Sequence, residues 1–194
     1  MNIEVPVTLK MGELMSDNEF FQFCQMNDTL ELERDSNGDI IVMSPTGLFA
    51  GNFNSRILGH LFIWNENNSL GEVFNSSAGF TLPNGAVRSP DVSWIKAEKW
   101  AALSQADKER FAPVCPDFIV EIRSKSDDIK YLQNKMNEYI DNGTQLGWLI
   151  DRFDNKAYVY NAGKTMLVHD TLSLRLSGED VLPGFELDLG AFIQ

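Results

Sequence analysis

The residue with the most chemical consequence in this sequence is Glu121. It lies in Pro116-Asp117-Phe118-Ile119-Val120-Glu121-Ile122-Arg123-Ser124, where β-branched and aromatic neighbours read as a strand buried on both faces. An ionised carboxylate in such a place is costly unless a cation pairs with it or a metal binds it. Thirty residues earlier a second acid, Asp91, stands in Arg88-Ser89-Pro90-Asp91-Val92-Ser93-Trp94-Ile95. If the two strands are neighbours, their carboxylates can converge. Mg2+ is held by one or two protein carboxylates together with substrate phosphate oxygens, so this pair suffices for a phosphodiesterase metal site. The structural alternative makes Asp91 a turn or bulge residue and Glu121 the salt-bridge partner of Arg123 or of a residue on the N-terminal helix.

Cations for the same chemistry lie close by. Arg123 follows Glu121 by two residues, which on a strand means the same face, and its permanent charge can neutralise a transition-state phosphate without serving as a base. Lys135 falls within a helix expected over 126–142, flanked by Leu132 and Tyr139, so its stem can follow the sheet-facing edge while the ammonium reaches inward. A snorkelling surface lysine is its structural alternative. From 121 to 135 four cations face three anions, the least hostile stretch for a phosphate in a chain of net charge −12. Glu33 and Asp117 are accessory candidates: Glu33 ends a strand that can approach the site or be solvated, and Asp117 shares the alternation parity of Glu121 but equally suits a strand entry. His60 and His169 share no motif, which argues against a histidine-metal nuclease, and neither a Ser-His-Asp nor a P-loop pattern is evident.

The composition bounds these readings. With 194 residues, 43% of them apolar, the chain is expected to form one domain spanning 1–194 with a full core. The charge of −12 opposes non-specific attraction to a polyanion, so any nucleic-acid contact must be local. Two cysteines, Cys24 and Cys115, form no paired motif, which suggests neither a disulfide framework nor a zinc cluster. Without a basic leader followed by an apolar run, and without a stretch of membrane length, a cytoplasmic location is expected.

The elements that must position the candidates follow from pattern. Ser16-x-x-Glu19 is a capping box opening a helix over 16–26, with Phe20, Phe23 and Cys24 at helical spacing. Two strands, 29–34 and 39–43, flank the tight-turn pair Asn37-Gly38, and Ser44-Pro45-Thr46-Gly47 breaks the second. Phe53, Ile57, Leu61 and Trp64 then mark one face of a helix to about residue 67. Strands over 72–82 and 87–95 form a second hairpin through Pro83-Asn84-Gly85, in which Pro90 demands a bulge or an edge. A short helix over 97–103 leads to the Glu121 strand. Ser126 is expected to cap the helix that carries Lys135, with Asp127 and Asp128 in its first turn. Strands over 146–151, 157–160 and 165–169 follow, and the apolar tail 181–193 should dock. Hairpins followed by strand–helix–strand indicate an α/β fold with a mixed β-sheet flanked by helices.

Taken together, Met43-Ser44-Pro45-Thr46, Arg88-Ser89-Pro90-Asp91-Val92-Ser93, the Pro116–Ser124 run, and Lys135-Met136-x-Glu138-Tyr139 with Gly147-Trp148-Leu149-Ile150 resemble the Uma-type family of putative restriction endonucleases. The resemblance runs from about residue 16 to the C-terminus. It implies a restriction-endonuclease-like fold of the PD-(D/E)XK superfamily, with Asp91 as first acid, Glu121 as second, Mg2+ or Mn2+ as cofactor and DNA as substrate. A nuclease of this kind pairs as a homodimer if it cuts both strands. One position departs from the superfamily pattern: its third motif residue is a lysine, and Arg123 stands there. Lys135 is then a migrated replacement, or the chain keeps the nuclease fold without the chemistry, as a module for binding protein or nucleic acid.

Overall fold

The computed structural model of the chain describes residues 6–11, 14–43, 45 and 47–192. Strand β1 (Val7–Leu9), which the sequence pattern did not announce, precedes helix α1 (Asp17–Met26). The helix starts at its capping box: the Ser16 hydroxyl accepts from the Glu19 amide while the Glu19 carboxylate accepts from the Ser16 amide. Strands β2 (Glu31–Arg34) and β3 (Ile40–Met43) form the expected hairpin, with Gly38 at φ +88 supplying the turn, and β1 pairs with the free side of β3. Ser44 and Thr46 of the break expected after it lie outside the described residues. Helix α2 (Leu48–Asn68) buries Phe53, Ile57, Leu61 and Trp64 on one stripe, and starts five residues earlier than that stripe suggests.

The second expected hairpin is corrected in an instructive way. Each long arm is two strands, giving β4 (Gly71–Asn75), β5 (Phe80–Thr81), β6 (Val87–Arg88) and β7 (Val92–Lys96). The inner pair, β5 and β6, joins a five-stranded sheet in the order β1-β3-β2-β6-β5. The outer pair, β4 and β7, belongs to a different, six-stranded sheet. Pro90 has no N–H to give to a ladder, so the pairing stops at Ser89-Pro90-Asp91. On the opposite arm a turn interrupts the strand, with the Ser77 amide donating to the Asn75 side chain and the Ala78 amide to the Asn75 carbonyl. The ribbon thus passes from one sheet to the other, and Asp91 sits at the bend.

Short helices α3 (Ala97–Ala102) and α4 (Gln105–Lys108) lead to β8 (Phe118–Ile122), all five of whose residues are buried. Helix α5 (Ile129–Asp141) is capped by Asp128, which accepts from the Tyr131 amide at 2.9 Å, rather than by Ser126. Asp127 is taken up elsewhere, accepting from the Ser124 amide at 2.8 Å, so the loop closes on itself before the helix begins. Strands β9 (Leu146–Asp151), β10 (Lys156–Asn161) and β11 (Leu167–His169) complete the large sheet in the order β11-β10-β9-β8-β7-β4. β8 and β9 are parallel, joined through α5, and the other pairs of this sheet are antiparallel. Alternation along β8 sends Phe118, Val120 and Ile122 into the core beneath α2, and Ile119 into the core beneath α5. The tail adds β12 (Arg175–Ser177), β13 (Glu186–Asp188) and a 3-10 turn (Leu189–Phe192), burying Leu182, Phe185, Leu187 and Phe192 against the α2 side. Ile193, at the end of the expected docking tail, lies outside the described residues. Among the described residues no helix is long and apolar enough to cross a membrane.

Candidate active site

β7 runs antiparallel to β8, with Val92 opposite Val120 and Ser93 opposite Ile119. Continuing that register by one residue sets Asp91 opposite Glu121. The Ile122 amide fastens this arrangement by donating to Asp91 Oδ2 at 2.8 Å, and Asn54 of α2 donates to Oδ1 at 3.2 Å. Glu121 shares the parity of Ile119 and so projects toward α5.

From α5, Lys135 comes down between two acids. Its Nζ lies 2.8 Å from Glu121 Oε1 and 2.9 Å from Glu33 Oε1. One turn later Tyr139 donates its hydroxyl to the same Glu121 oxygen at 3.1 Å. Arg88, at the end of β6, closes the outer side: Nη1 donates to Glu33 Oε2 at 3.1 Å and Nε to Glu138 Oε2 at 2.6 Å. The Ser89 amide gives Glu33 a further bond at 2.9 Å. Asp91, Glu121, Glu33, Lys135, Asn54 and Ser124 line one cleft between the two large sheets, although Glu121 and Lys135 are only 5% and 4% exposed.

The charges in this cluster are unevenly satisfied. Burial pushes Glu121 up to about 7; Lys135 pulls against it, while Asp91 and Glu33 add to it. Burial likewise pushes Asp91 up to about 6, against the Ile122 amide and Lys135. Burial also acts on Glu33, but Lys135, Arg88 and the Ser89 amide outweigh it and hold this carboxyl below its usual range. Lys135 loses hydration, yet Glu121 and Glu33 more than compensate and its pKa rises. Its ammonium is therefore a fixed charge rather than a base. The carboxyl groups of this cluster (Glu33, Asp91, Glu121 and Glu138, with Asp127 acting on Asp91) outnumber its two cations, Arg88 and Lys135.

The donor set suits a divalent ion. Both protein donors to Glu121 fall on Oε1, and among the described residues none donates to Oε2. Two hard carboxylates with spare lone pairs match the one or two protein ligands that Mg2+ takes. Among the described residues no group of three or more His, Cys, Asp or Glu side chains is arranged to hold a metal, so an ion here relies on Asp91 and Glu121 together with water and ligand oxygens.

Two candidates stand elsewhere. Arg123 does not join Glu121 at the cleft, which corrects the expectation of a shared catalytic face. β8 ends at Ile122, and the guanidinium turns along the sheet, Nη1 lying 2.7 Å from Asp151 and 2.9 Å from Asp154 while Nε donates to the Asp127 carbonyl. Asp117 has the parity of Glu121 but sits at the opposite end of β8, where it accepts from the Lys96 amide and pairs with Lys99 at 2.9 Å. Glu33, weighed as a solvated strand residue, is instead 2% exposed within the cluster. Sequence reasoning missed Arg88, Tyr139, Glu138 and Asn54 as members. For Glu138 and Tyr139 a signal existed, since both lie three or four residues from Lys135 on one helix face. For Arg88 and Asn54 none did, because their partners lie far away in sequence on other elements: Glu33 on β2 and Glu138 on α5 for Arg88, Asp91 at the bend for Asn54.

Residues 17–190 match the Uma2 family, described as "Putative restriction endonuclease". No curated protein matches the chain. Among solved structures, the fold is similar to that of "a putative nuclease belonging to DUF820" from Anabaena variabilis, with a TM-score of 0.71 at 18% identity, covering 84% of this chain and 91% of that one.

Proposed function

Since this chain belongs to the Uma2 family, described as putative restriction endonucleases, we propose that it is a metal-dependent DNA endonuclease working at the Asp91–Glu121–Lys135 cleft. The observation that carries this reading is the convergence of two acids with raised pKa values and one buried ammonium at a single cleft. Asp91 and Glu121 would hold Mg2+ or Mn2+, which when bound would supply an activated water and a Lewis acid for the phosphate. Asp91 is held in place for this by Asn54 and the Ile122 amide. Lys135 takes the part that the motif lysine plays in the superfamily, offering a fixed positive charge where negative charge develops on the phosphate. Glu33 and Tyr139 position it and its partner. The substrate meets the acidic chain through local phosphate contacts, and a second copy supplies the cut in the other strand.

One observation favours a second reading, a nuclease-derived fold serving as a binding module. Lys135 already bridges Glu121 and Glu33, so part of the buried charge is compensated without any ion. Nicking of supercoiled plasmid by the purified protein at low salt, with Mg2+ or Mn2+, separates the two. The expected result is metal-dependent nicking that falls by about 10²–10³ in Lys135→Ala, the range seen when one transition-state donor is removed. Lys135→Arg recovers part of that loss, and Arg123→Ala keeps most of the activity. A wild-type protein that cleaves no DNA overturns the enzyme and leaves the module.

A further inference from the structure

Beyond the cluster, one cation at the same end of the large sheet has no anionic partner among the described residues. Arg152 follows the last residue of β9, and its guanidinium carbon lies 4.3 Å from the ring centroid of Phe49 and 4.4 Å from that of Phe153. Its Nε is buried without a hydrogen-bond partner. The acids of the adjoining turn, Asp151 and Asp154, are both engaged by Arg123, so they do not neutralise it. Among the described residues Arg152 has no ion-pair partner, in a chain where acids outnumber Lys and Arg by 28 to 16. Both flanking rings are well exposed, Phe49 at 42% and Phe153 at 40%. A permanent charge has been fixed in orientation by two aromatic faces and then left without an anion.

Two backbone rulers set this clamp at the same end of the large sheet as the cleft, on the α2 side, whereas Glu121 projects toward α5. Glu121 is opposite Leu149 in the parallel β8–β9 pair, so Arg152 stands three residues further along, roughly 10 Å at the strand rise of about 3.3 Å. Phe49 precedes Asn54, the partner of Asp91, by five residues on α2, roughly 7.5 Å at about 1.5 Å per residue. Both offsets are of the order of a few nucleotide steps, each about 3.4 Å along a strand axis.

We propose that Arg152, clamped between Phe49 and Phe153, is the contact that seats a backbone phosphate of the DNA strand a few nucleotides from the one being cleaved. The proposal rests on the nuclease reading and deepens it by assigning a substrate contact outside the metal cluster. The fork of the guanidinium suits bidentate binding of a phosphate, and the two rings hold that fork in place.

The test is the fluorescence anisotropy of a labelled DNA duplex titrated with the full chain without divalent metal, over a series of salt concentrations. Arg152→Ala is expected to weaken binding about tenfold at low salt and to reduce the slope of log K against log salt by about one, the signature of one lost phosphate contact. Arg152→Lys should keep the slope and lose part of the affinity. Mn2+ binding at Asp91 and Glu121 should be the same in both variants, a readout that collapse of the turn into the cleft disturbs. Equal DNA affinity and slope in wild type and Arg152→Ala overturns this contact while leaving the nuclease reading intact. If the wild type neither binds nor cleaves DNA, both fall together.

Discussion

At the scale of single residues, Glu121 and Glu33 share Lys135 but stand in opposite electrostatic states. Glu121 has its carboxyl raised from the usual range to about 7, so the folded protein holds a proton there that the unfolded chain releases. Its charged form therefore costs stability progressively as pH rises from about 4.5 to 7. At about 1.4 kcal/mol per pH unit this reaches the order of 3 kcal/mol by pH 8. Glu33 has the reverse sign: its pKa is lowered, and its contribution is present above the ordinary carboxylate range and lost on acidification. In chelator-containing buffer at pH 8, Glu121→Gln should accordingly be as stable as wild type or up to about 3 kcal/mol more stable, with the gain shrinking toward pH 5. Glu33→Gln should lose about 3–5 kcal/mol, because Lys135, Arg88 and the Ser89 amide are left buried around a neutral group. Equal destabilisation by both substitutions in denaturant titrations contradicts this assignment. Much of this was legible in the chain. A glutamate inside an apolar strand announces an electrostatic problem, and a lysine beside an apolar helical stripe announces where its partner can be. The role of Glu33 was not legible, since alternation of Leu and Glu looks the same in a solvated strand and in one whose polar face meets another sheet.

At the scale of elements, the site depends on a ribbon that bends. Its outer strands, β4 and β7, must lie close for β7 to hold Asp91 against β8. Gly71 permits this: a Cβ there meets the Ile95 carbonyl at 2.1 Å and the Trp94 ring at 2.6 Å. Backbone cannot yield as a flexible side chain can, so Gly71→Ala should cost about 1–3 kcal/mol by overpacking. Thermal unfolding checks this, and an unchanged melting temperature contradicts it. Gly147, by contrast, faces the mobile end of Met136 at 2.7 Å, where accommodation is easier. Helix caps, tight turns and apolar stripes were readable because each is settled within a few residues: Ser16 with Glu19, Gly38 in its turn, Phe53 to Trp64 along α2. The assignment of β5 and β6 to one sheet and β4 and β7 to another was not, since it depends on which strands lie alongside. Pro90 signalled an irregularity without telling a bulge from a change of sheet. The cap of α5 moved two residues for a similar reason: Ser126, Asp127 and Asp128 are all competent caps, and the Asp127–Ser124 bond decides among them.

At the scale of the whole molecule, β4 is an edge strand with one side unpaired among the described residues, and the adjoining face of α2 exposes Phe62 at 53% and Ile63 at 62%. Leu58, Phe62, Val73 and Phe74 line a groove between them. On the proposed reading, a second copy of the chain meeting this edge about a two-fold axis would cover both features and provide the second site that duplex cleavage needs. Sedimentation should therefore show a dimer that Phe62→Glu converts to monomer, and a wild-type monomer at high concentration removes the pairing. The net charge of −12 works against DNA everywhere except at locally favourable positions, and on the proposed reading neutralisation of the buried acids by an ion would be the decisive event. Calorimetric titration of Mn2+ into the chain, repeated between pH 5.5 and 8, tests this most directly. The account predicts a single site whose affinity rises with pH as Asp91 and Glu121 lose protons near 6 and 7, with proton release on binding and loss of the site in Asp91→Asn and Glu121→Gln. Mn2+ binding that is absent, or that survives both substitutions with no dependence on pH, would contradict it.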